Sequence, residues 1–239
     1  MNLAQTLQPD RDCQQLYLLQ TENGRIEILQ KDQHIWLRID DVVQSAMERQ
    51  PPYRPILPHT LIMMLPLIHH KVPGKVLELG GGGQSCQRYF QHTQPNIQFL
   101  SVELNLDVIQ AVQQYFPASE ALNIVNADAF EFVAELALTK EKYDWIMIDL
   151  FHGAESPFNA KHHDFIHHIH RCLAEDGWLI INCLTPSVSE HQALCDKLFD
   201  TFQIRPHLFA VPEMQNYIIM LQKNNQFIFP SEIETHSQY

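Results

Sequence analysis

The sequence predicts an α/β fold: a mostly parallel sheet with helices on both faces, an antiparallel C-terminal hairpin, and a small N-terminal β-element. Three observations predict it. From Lys75 onward, short apolar runs alternate with amphipathic stretches of helical period, which is the pattern of βαβ units. Four glycines in a row, Gly80 to Gly83, directly follow the first of those runs, VLEL. The last two apolar runs, within FQIRPHLFAVPEMQNYIIMLQK, have no helical stretch between them, so they fit an antiparallel hairpin at the sheet edge.

The elements follow in chain order. In LYLLQTENGRIEILQKDQHIWLRID, Ile26 and Ile28, then Ile35, Leu37 and Ile39, alternate with polar residues, and Asn23-Gly24 is a hairpin turn signal. Pro51, Pro52, Pro55 and Pro58 break the chain into an irregular link. A helix is expected over residues 59–69, ending near His69-His70. Then come VLEL as strand, QSCQRYFQHT as helix, IQFLSVEL as strand and DVIQAVQQYF as helix. LNIVNAD (strand), AFEFVAELA (helix), YDWIMIDL (strand) and HDFIHHIHRCLA (helix) continue the series, and Glu175-Asp176-Gly177 turns into the strand WLIINCL. The division is thus residues 1–58 for the β-element and link, and 59–239 for a nucleotide-binding domain.

Composition narrows the function. The chain has 239 residues, 45% of them hydrophobic, and a formal net charge of -12. No Lys/Arg cluster provides the basic footprint of a nucleic-acid binder. An acidic surface suits a cationic small molecule, although acidity also serves solubility. The start MNLAQTLQPDRD lacks the basic and apolar segments of a signal peptide, and LIMMLPLI is too short to span a bilayer. Five cysteines without a CxxC pair read as reduced thiols, so a cytoplasmic protein without membrane association is expected.

Four successive strand ends carry chemistry. Gly80, Gly81 and Gly82 let backbone approach a bound group, and ligands of open parallel sheets sit at the carboxyl ends of the strands. Glu103 ends the second strand, where a carboxylate can accept both hydroxyls of a ribose. Asp128, followed by Ala129, ends the third, where it can accept from an adenine amino group. Asp149 ends the fourth. Each acid singly could just cap the following helix; a nicotinamide dehydrogenase would explain the glycines and Glu103 but not the two aspartates.

These residues resemble the Rossmann-like class I S-adenosylmethionine-dependent methyltransferase fold, with its seven-stranded sheet, and within it the spermidine/spermine synthase-like group. The resemblance runs from about Gly24 to Leu221. IDDVVQ resembles the group's Asp-Gly-x-x-Gln stretch and implies a cofactor contact at Gln44. Tyr53 stands nine residues later, where the group has a substrate-site tyrosine. NADAFEF resembles the Asp-Gly-x-x-Phe segment and implies the adenine contact at Asp128. MIDLFHGAESP, with CLAEDGWLIIN beyond it, resembles the catalytic strand and implies the catalytic aspartate at Asp149.

Several positions depart from the group. Its first loop usually reads Gly-Gly-Gly-Asp-Gly-Gly, with the acid holding the amine of decarboxylated S-adenosylmethionine; Gly83 stands in place of that acid. A second aspartate, three residues after the catalytic one, is replaced by His152. Tyr53-Arg54-Pro55 replaces Tyr-His/Gln-Glu. Conversely, Glu78 occupies the acidic position of the methyltransferase first motif. A diamine needs carboxylates to hold it, so these losses put S-adenosylmethionine and methyl transfer to a small molecule first. Aminopropyl transfer from decarboxylated S-adenosylmethionine is the alternative, and a non-catalytic nucleoside-binding protein the second alternative. The acceptor would be a small, cationic molecule lined by Tyr53 and His152. A homodimer remains open. Loss of the loop acid implies that S-adenosylmethionine binds at least as well as its decarboxylated form, and that Gly83→Asp would shift the preference.

Other features read as structural. His163, His167 and His170 could share a helical face, but Phe165, Ile166, Ile169 and Leu173 mark its buried side, so the histidines are expected in solvent and no metal is expected. Trp145 and Trp178 are expected in the core. Cys183 has no neighbouring base in sequence to make it a nucleophile.

Overall fold

The computed structural model describes residues 3–22, 24–68, 71–116, 122–150, 164–184 and 188–225. After a short helix α1 (Leu3–Thr6), four strands form an antiparallel meander: β1 (Gln14–Thr21), β2 (Gly24–Lys31), β3 (His34–Ile39) and β4 (Val42–Glu48). Alternation along β3 explains the apolar run HIWLRI. Ile35 and Leu37 face one side, and Trp36 faces the other, against Leu57 and Leu7. Both faces are covered, so the strand is buried almost throughout. The fourth strand was not expected. VVQSAME alternates weakly, and Asp40 takes a left-handed turn, with φ 52, to enter it. Asn23 of the expected turn lies outside the described residues.

The helix expected over 59–69 is two pieces. α2 (Pro58–Met63) stops before Pro66, and a 3-10 turn covers Leu65–Ile68. Proline cannot donate the helical N–H and crowds the preceding turn. His69 and His70 lie outside the described residues.

Seven strands form the main sheet, in the order β10-β11-β9-β8-β5-β6-β7. They are β5 (Lys75–Leu79), β6 (Gln98–Glu103), β7 (Ile124–Asn126), β8 (Tyr143–Ile148), β9 (Leu173–Leu184), β10 (His207–Ala210) and β11 (Asn216–Gln222). The first five are parallel; β11 pairs antiparallel with both β9 and β10. The helices are α3 (Ser85–Thr93), α4 (Leu106–Tyr115), α5 (Ala129–Leu136), α6 (Phe165–Cys172) and α7 (Val188–Phe202). α7 was missed in the sequence, where SEHQALCDKLFDTF drew no assignment. The expected turn at Glu175-Asp176-Gly177 is a looped excursion inside β9: pairing with β8 jumps from Tyr143 opposite Leu173 to Trp145 opposite Trp178.

Strand alternation splits the core into two layers. Leu77, Leu79, Ile146 and Ile148 pack on one face with α5, α6 and α7. Val76, Trp145, Met147, Trp178 and Ile180 pack on the other with α2 and α3. Both tryptophans are thus core, as expected. Phe165, Ile166, Ile169 and Leu173 are buried, while His167 is exposed and His170 half-buried against Phe202. His163 lies outside the described residues. The N-terminal meander packs Ile26, Ile28, Leu37 and Met47 on Val108, Val112 and Phe116, mostly of α4. Among the described residues, no helix is long and apolar enough to cross a membrane.

Candidate active site

The sheet order places β5 beside β8 on one side and β6 on the other. Chain direction along the sheet reverses there, and this is where open parallel sheets leave a crevice. Strands spaced about 4.8 Å apart then set the ends of β8, β5, β6 and β7 in one row. A cavity of ≈ 330 Å³ lies over that row.

Gly80 sits at the reversal. Its φ is +84, and a Cβ there would overlap the carbonyl oxygen of Asp149. Asp149 in turn donates its N–H to the Leu79 carbonyl at 2.8 Å, so the two strand ends are tied together. Gly82 has φ +45 and only open space where a Cβ would stand. Gly83 is different: a Cβ there would collide with the Ser45 side chain, because β4 presses on the loop and the Ser45 and Ser85 hydroxyls lie 3.1 Å apart. Gly83→Asp is therefore not a clean switch of ligand preference. It would first push the N-terminal sheet off the loop.

Each expected carboxylate is on the cavity wall. Glu103 accepts the Gly82 N–H at 3.0 Å through Oε2 and the Asn105 N–H at 2.9 Å through Oε1. Asn105, and not Glu103, caps α4. Asp128 does cap α5, accepting the N–H groups of Phe130 at 2.7 Å and Glu131 at 3.2 Å through Oδ1 alone. The capping and binding readings are thus compatible, since Oδ2 is left over. Ala129 and Gln44 also line the cavity, Gln44 from β4.

Asp149 is half-buried and lines the cavity at the end of β8. Asn182 of β9 donates to its Oδ1 at 2.7 Å, and Asn216 of β11 donates to Asn182 at 2.9 Å. Burial raises the affinity of this carboxyl for its proton; the neighbouring His59 and the Asn182 hydrogen bond oppose that. His59, at the start of α2, is buried, lines the cavity and has no hydrogen bond at Nδ1 among the described residues. Burial holds its imidazole towards the neutral form. An amine entering here meets a carboxyl group and an imidazole.

Glu78 lies on the cavity floor, on the α3 face of β5, and is 4% exposed. The Ser101 hydroxyl donates to its Oε2 at 2.7 Å. Burial pushes this carboxyl up to about 8.

Tyr53 is elsewhere. Its ring stacks on His92 at a centroid distance of 3.5 Å, and the neighbouring Pro52 carbonyl accepts from Arg88 Nε at 3.2 Å. Both partners belong to α3, which leads away from the loop at about 1.5 Å per residue, so His92 is roughly 10 Å from it. Between Tyr53 and Ile68, the residues that line the cavity are His59 and Thr60. His152, the other expected acceptor residue, lies outside the described residues.

Sequence reasoning missed Asn182, Asn216, His59 and Ser45. For Asn182 a signal existed: an amide inside the apolar run WLIINCL needs a buried partner. The others carry none, because their importance comes from elements distant in sequence.

Comparison with known proteins agrees with this architecture. Residues 56–230 match the family described as "Spermine/spermidine synthase domain". A polyamine aminopropyltransferase of Methanocaldococcus jannaschii is 30% identical over 166 residues, which are 64% of this chain and 55% of that protein. One of Chromobacterium violaceum is 25% identical over 168 residues, 69% of this chain and 63% of that protein. The chain therefore spans 55% to 63% of the length of these relatives. A probable spermidine synthase from Corynebacterium glutamicum superposes with a TM-score of 0.71 at 22% identity, covering 89% of this chain and 81% of that one. Human methyltransferase-like protein 13, in complex with SAH, superposes at 0.58 with 20% identity, covering 78% of this chain and 85% of that one. Such identities speak for a shared fold. With the family match extending from the link before α2 to beyond β11, the chain belongs to the spermine/spermidine synthase family.

Proposed function

We propose that this protein transfers an aminopropyl group from decarboxylated S-adenosylmethionine to a small cationic amine. The observation that carries the reading is the charge of the cavity. Glu103, Asp128 and Asp149 line it beside the carboxyl of Glu78, which burial holds towards its neutral form, and no Lys or Arg does so among the described residues. Such a wall favours a sulfonium ligand with an ammonium group and disfavours one that also carries a carboxylate. The names of the curated relatives support the same choice. Methyl transfer from S-adenosylmethionine, placed first on the sequence, therefore stands behind aminopropyl transfer. The acids lost from the group's pattern weigh less than the strand-end acids that the fold gathers around one cavity.

In this reading Glu103 takes the ribose hydroxyls on lone pairs that its two N–H donors leave open. Asp128 Oδ2 and the Ala129 backbone meet the adenine. Gln44 and the backbone of Gly80, Gly81 and Gly82 line the path of the side chain. The acceptor amine attacks the carbon bonded to sulfur, the C–S pair stays on sulfur, and methylthioadenosine leaves. Asp149, held by Asn182, orients the amine and takes its proton. His59 and Thr60 replace Tyr53 in the acceptor wall.

The test is product analysis. Incubation with decarboxylated S-adenosylmethionine and a panel of diamines and triamines should release methylthioadenosine with one acceptor class, and Asp149→Asn should slow that release by about 100-fold or more. Methylated product from S-adenosylmethionine, with no methylthioadenosine, would reverse the order of the two readings. Tight nucleoside binding with no product from either would favour a binding protein.

A further inference from the structure

We propose that Asn216, a residue outside the cavity wall, is a positioning residue that keeps Asp149 a base: its NH₂ group fixes which end of the Asn182 amide faces that carboxyl. The proposal rests on the functional reading above, in which Asp149 takes the acceptor's proton, and names what prepares it to do so.

The three side chains form a relay from the end of β8 through β9 to β11. Asn182 donates through Nδ2 to Asp149 Oδ1 at 2.7 Å, and Asn216 donates through Nδ2 to Asn182 Oδ1 at 2.9 Å. Ile218 stands opposite Asn182 in the antiparallel register, so Asn216 is its diagonal neighbour on the same face. Both asparagines are buried, at 3% and 6% exposure, and neither lines the cavity. A ligand in the cavity therefore meets Asp149, with Oδ2 left for the acceptor amine, and not the amides behind it.

A carboxamide has a donor end and an acceptor end of nearly the same shape. Turned one way, Asn182 offers NH₂ to Asp149, which suits a carboxylate. Turned the other way, it offers its carbonyl oxygen, which suits a protonated carboxyl. Burial pulls Asp149 towards the second state. The titratable groups around it among the described residues oppose that pull weakly. His59 of α2 favours the ionised form, but its own burial holds it towards neutral. Glu78 of β5 and the Cys86 thiol of α3 are also held towards neutral by burial, and supply no positive charge. The direction of the Asn182 amide then decides. In the observed direction, no amide atom of the pair is left buried without a partner among the described residues. Turning Asn182 alone would set its NH₂ against the NH₂ of Asn216, so the relay reverses only if both buried amides turn together. Without the Asn216 donor, Asn182 turns by itself.

Carbon-13 labelling of the aspartate carboxyls, in the full chain without ligand, reads the proton on Asp149 directly, and Asp149→Asn assigns its signal. Asn216→Leu removes the donor with a side chain of similar branching, so the Asp149 midpoint should rise by about one pH unit. Asn216→Ser, whose hydroxyl donates or accepts, no longer dictates a direction and should raise it less. Met220→Ala loosens the same face of β11 and should leave the midpoint in place, which separates the lock from a loss of packing. In the transferase assay, the acid limb of kcat/KM for Asn216→Leu should move up by the same amount, with activity returning towards wild type at higher pH. Wild type gives a check that needs no variant: the side-chain NH₂ signals of Asn182 and Asn216 should both move with the Asp149 titration. An unmoved midpoint in a folded Asn216→Leu or Asn216→Ser, an equal rise in Met220→Ala, or Asn216 signals that ignore the titration would overturn the proposal. The functional reading fails separately. A raised midpoint in Asn216→Leu, with no methylthioadenosine released by any amine, would leave the lock standing and remove aminopropyl transfer.

Discussion

Asp128 serves two purposes with one carboxylate. Oδ1 caps α5, and in our reading Oδ2 meets the ligand. Asparagine retains an oxygen for the cap but puts an NH₂ where an acceptor is needed. Asp128→Asn should thus melt close to wild type while binding methylthioadenosine about tenfold or more weakly. Asp128→Ala should add a stability loss of about 1 kcal/mol from the lost cap. Full methylthioadenosine affinity in the asparagine variant would remove Asp128 from the site. Glu78 gives a second prediction at this scale. A glutamate in the unfolded chain titrates near ~4.3, whereas in the fold it is pushed up to about 8. Between those values the folded state keeps a proton that the unfolded state has released. Stability therefore falls as pH rises through this window and levels off above it. The unfolding free energy of wild type minus that of Glu78→Gln should decline across the window by an amount on the order of a few kcal/mol. Urea melts at a series of pH values measure this, and parallel curves would contradict a buried, protonated Glu78.

At the scale of the element, the loop between β5 and α3 carries four glycines with unequal duties, followed by Gln84. Gly80 combines a positive φ with backbone contact to Asp149, so Gly80→Ala must part β5 from β8 at their ends. Gly82 has a positive φ but free space, so Gly82→Ala should cost only the left-handed penalty, about 1 kcal/mol. Gly83 is limited by one neighbour, Ser45. Gly83→Ala should destabilise the protein, and adding Ser45→Gly should recover a large part of that loss, a coupling that a double-mutant cycle reads directly. Additive losses from the two substitutions would show that the loop and β4 are not in contact.

Across the whole molecule, the N-terminal meander is part of the site. Its sheet presents Leu37 both to α4 and to the cavity, and Trp36 to the opposite layer. Leu37→Ala should lower stability by about 2–5 kcal/mol and also weaken nucleoside binding. Trp36→Phe should lower stability with nucleoside affinity retained. Denaturant melts beside calorimetry separate the two effects, and equal affinity loss in both variants would mean that the sheet acts only through overall stability.

The sequence by itself determined the order of strands and helices from Lys75 to the strand that ends at Leu184, the parallel core, the edge hairpin and the row of strand-end acids, but not α7. Those signals are local: period 2 or 3.6, turn residues, and the rule that ligands sit at carboxyl ends of parallel strands. It misjudged what depends on distant partners. α2 ends early because Pro66 stops it, and VVQSAME is a strand because β3 lies beside it. Tyr53 was placed in the site by its spacing in one dimension, yet stacking on His92 holds it against the outer end of α3. Gly83 read as a missing acid; in three dimensions it is where Ser45 touches the loop. Only the tertiary structure decided that Glu78 opens into the cavity while Arg88 turns to three other acceptors, because burial and the choice of partners are properties of the packed elements and not of the chain order.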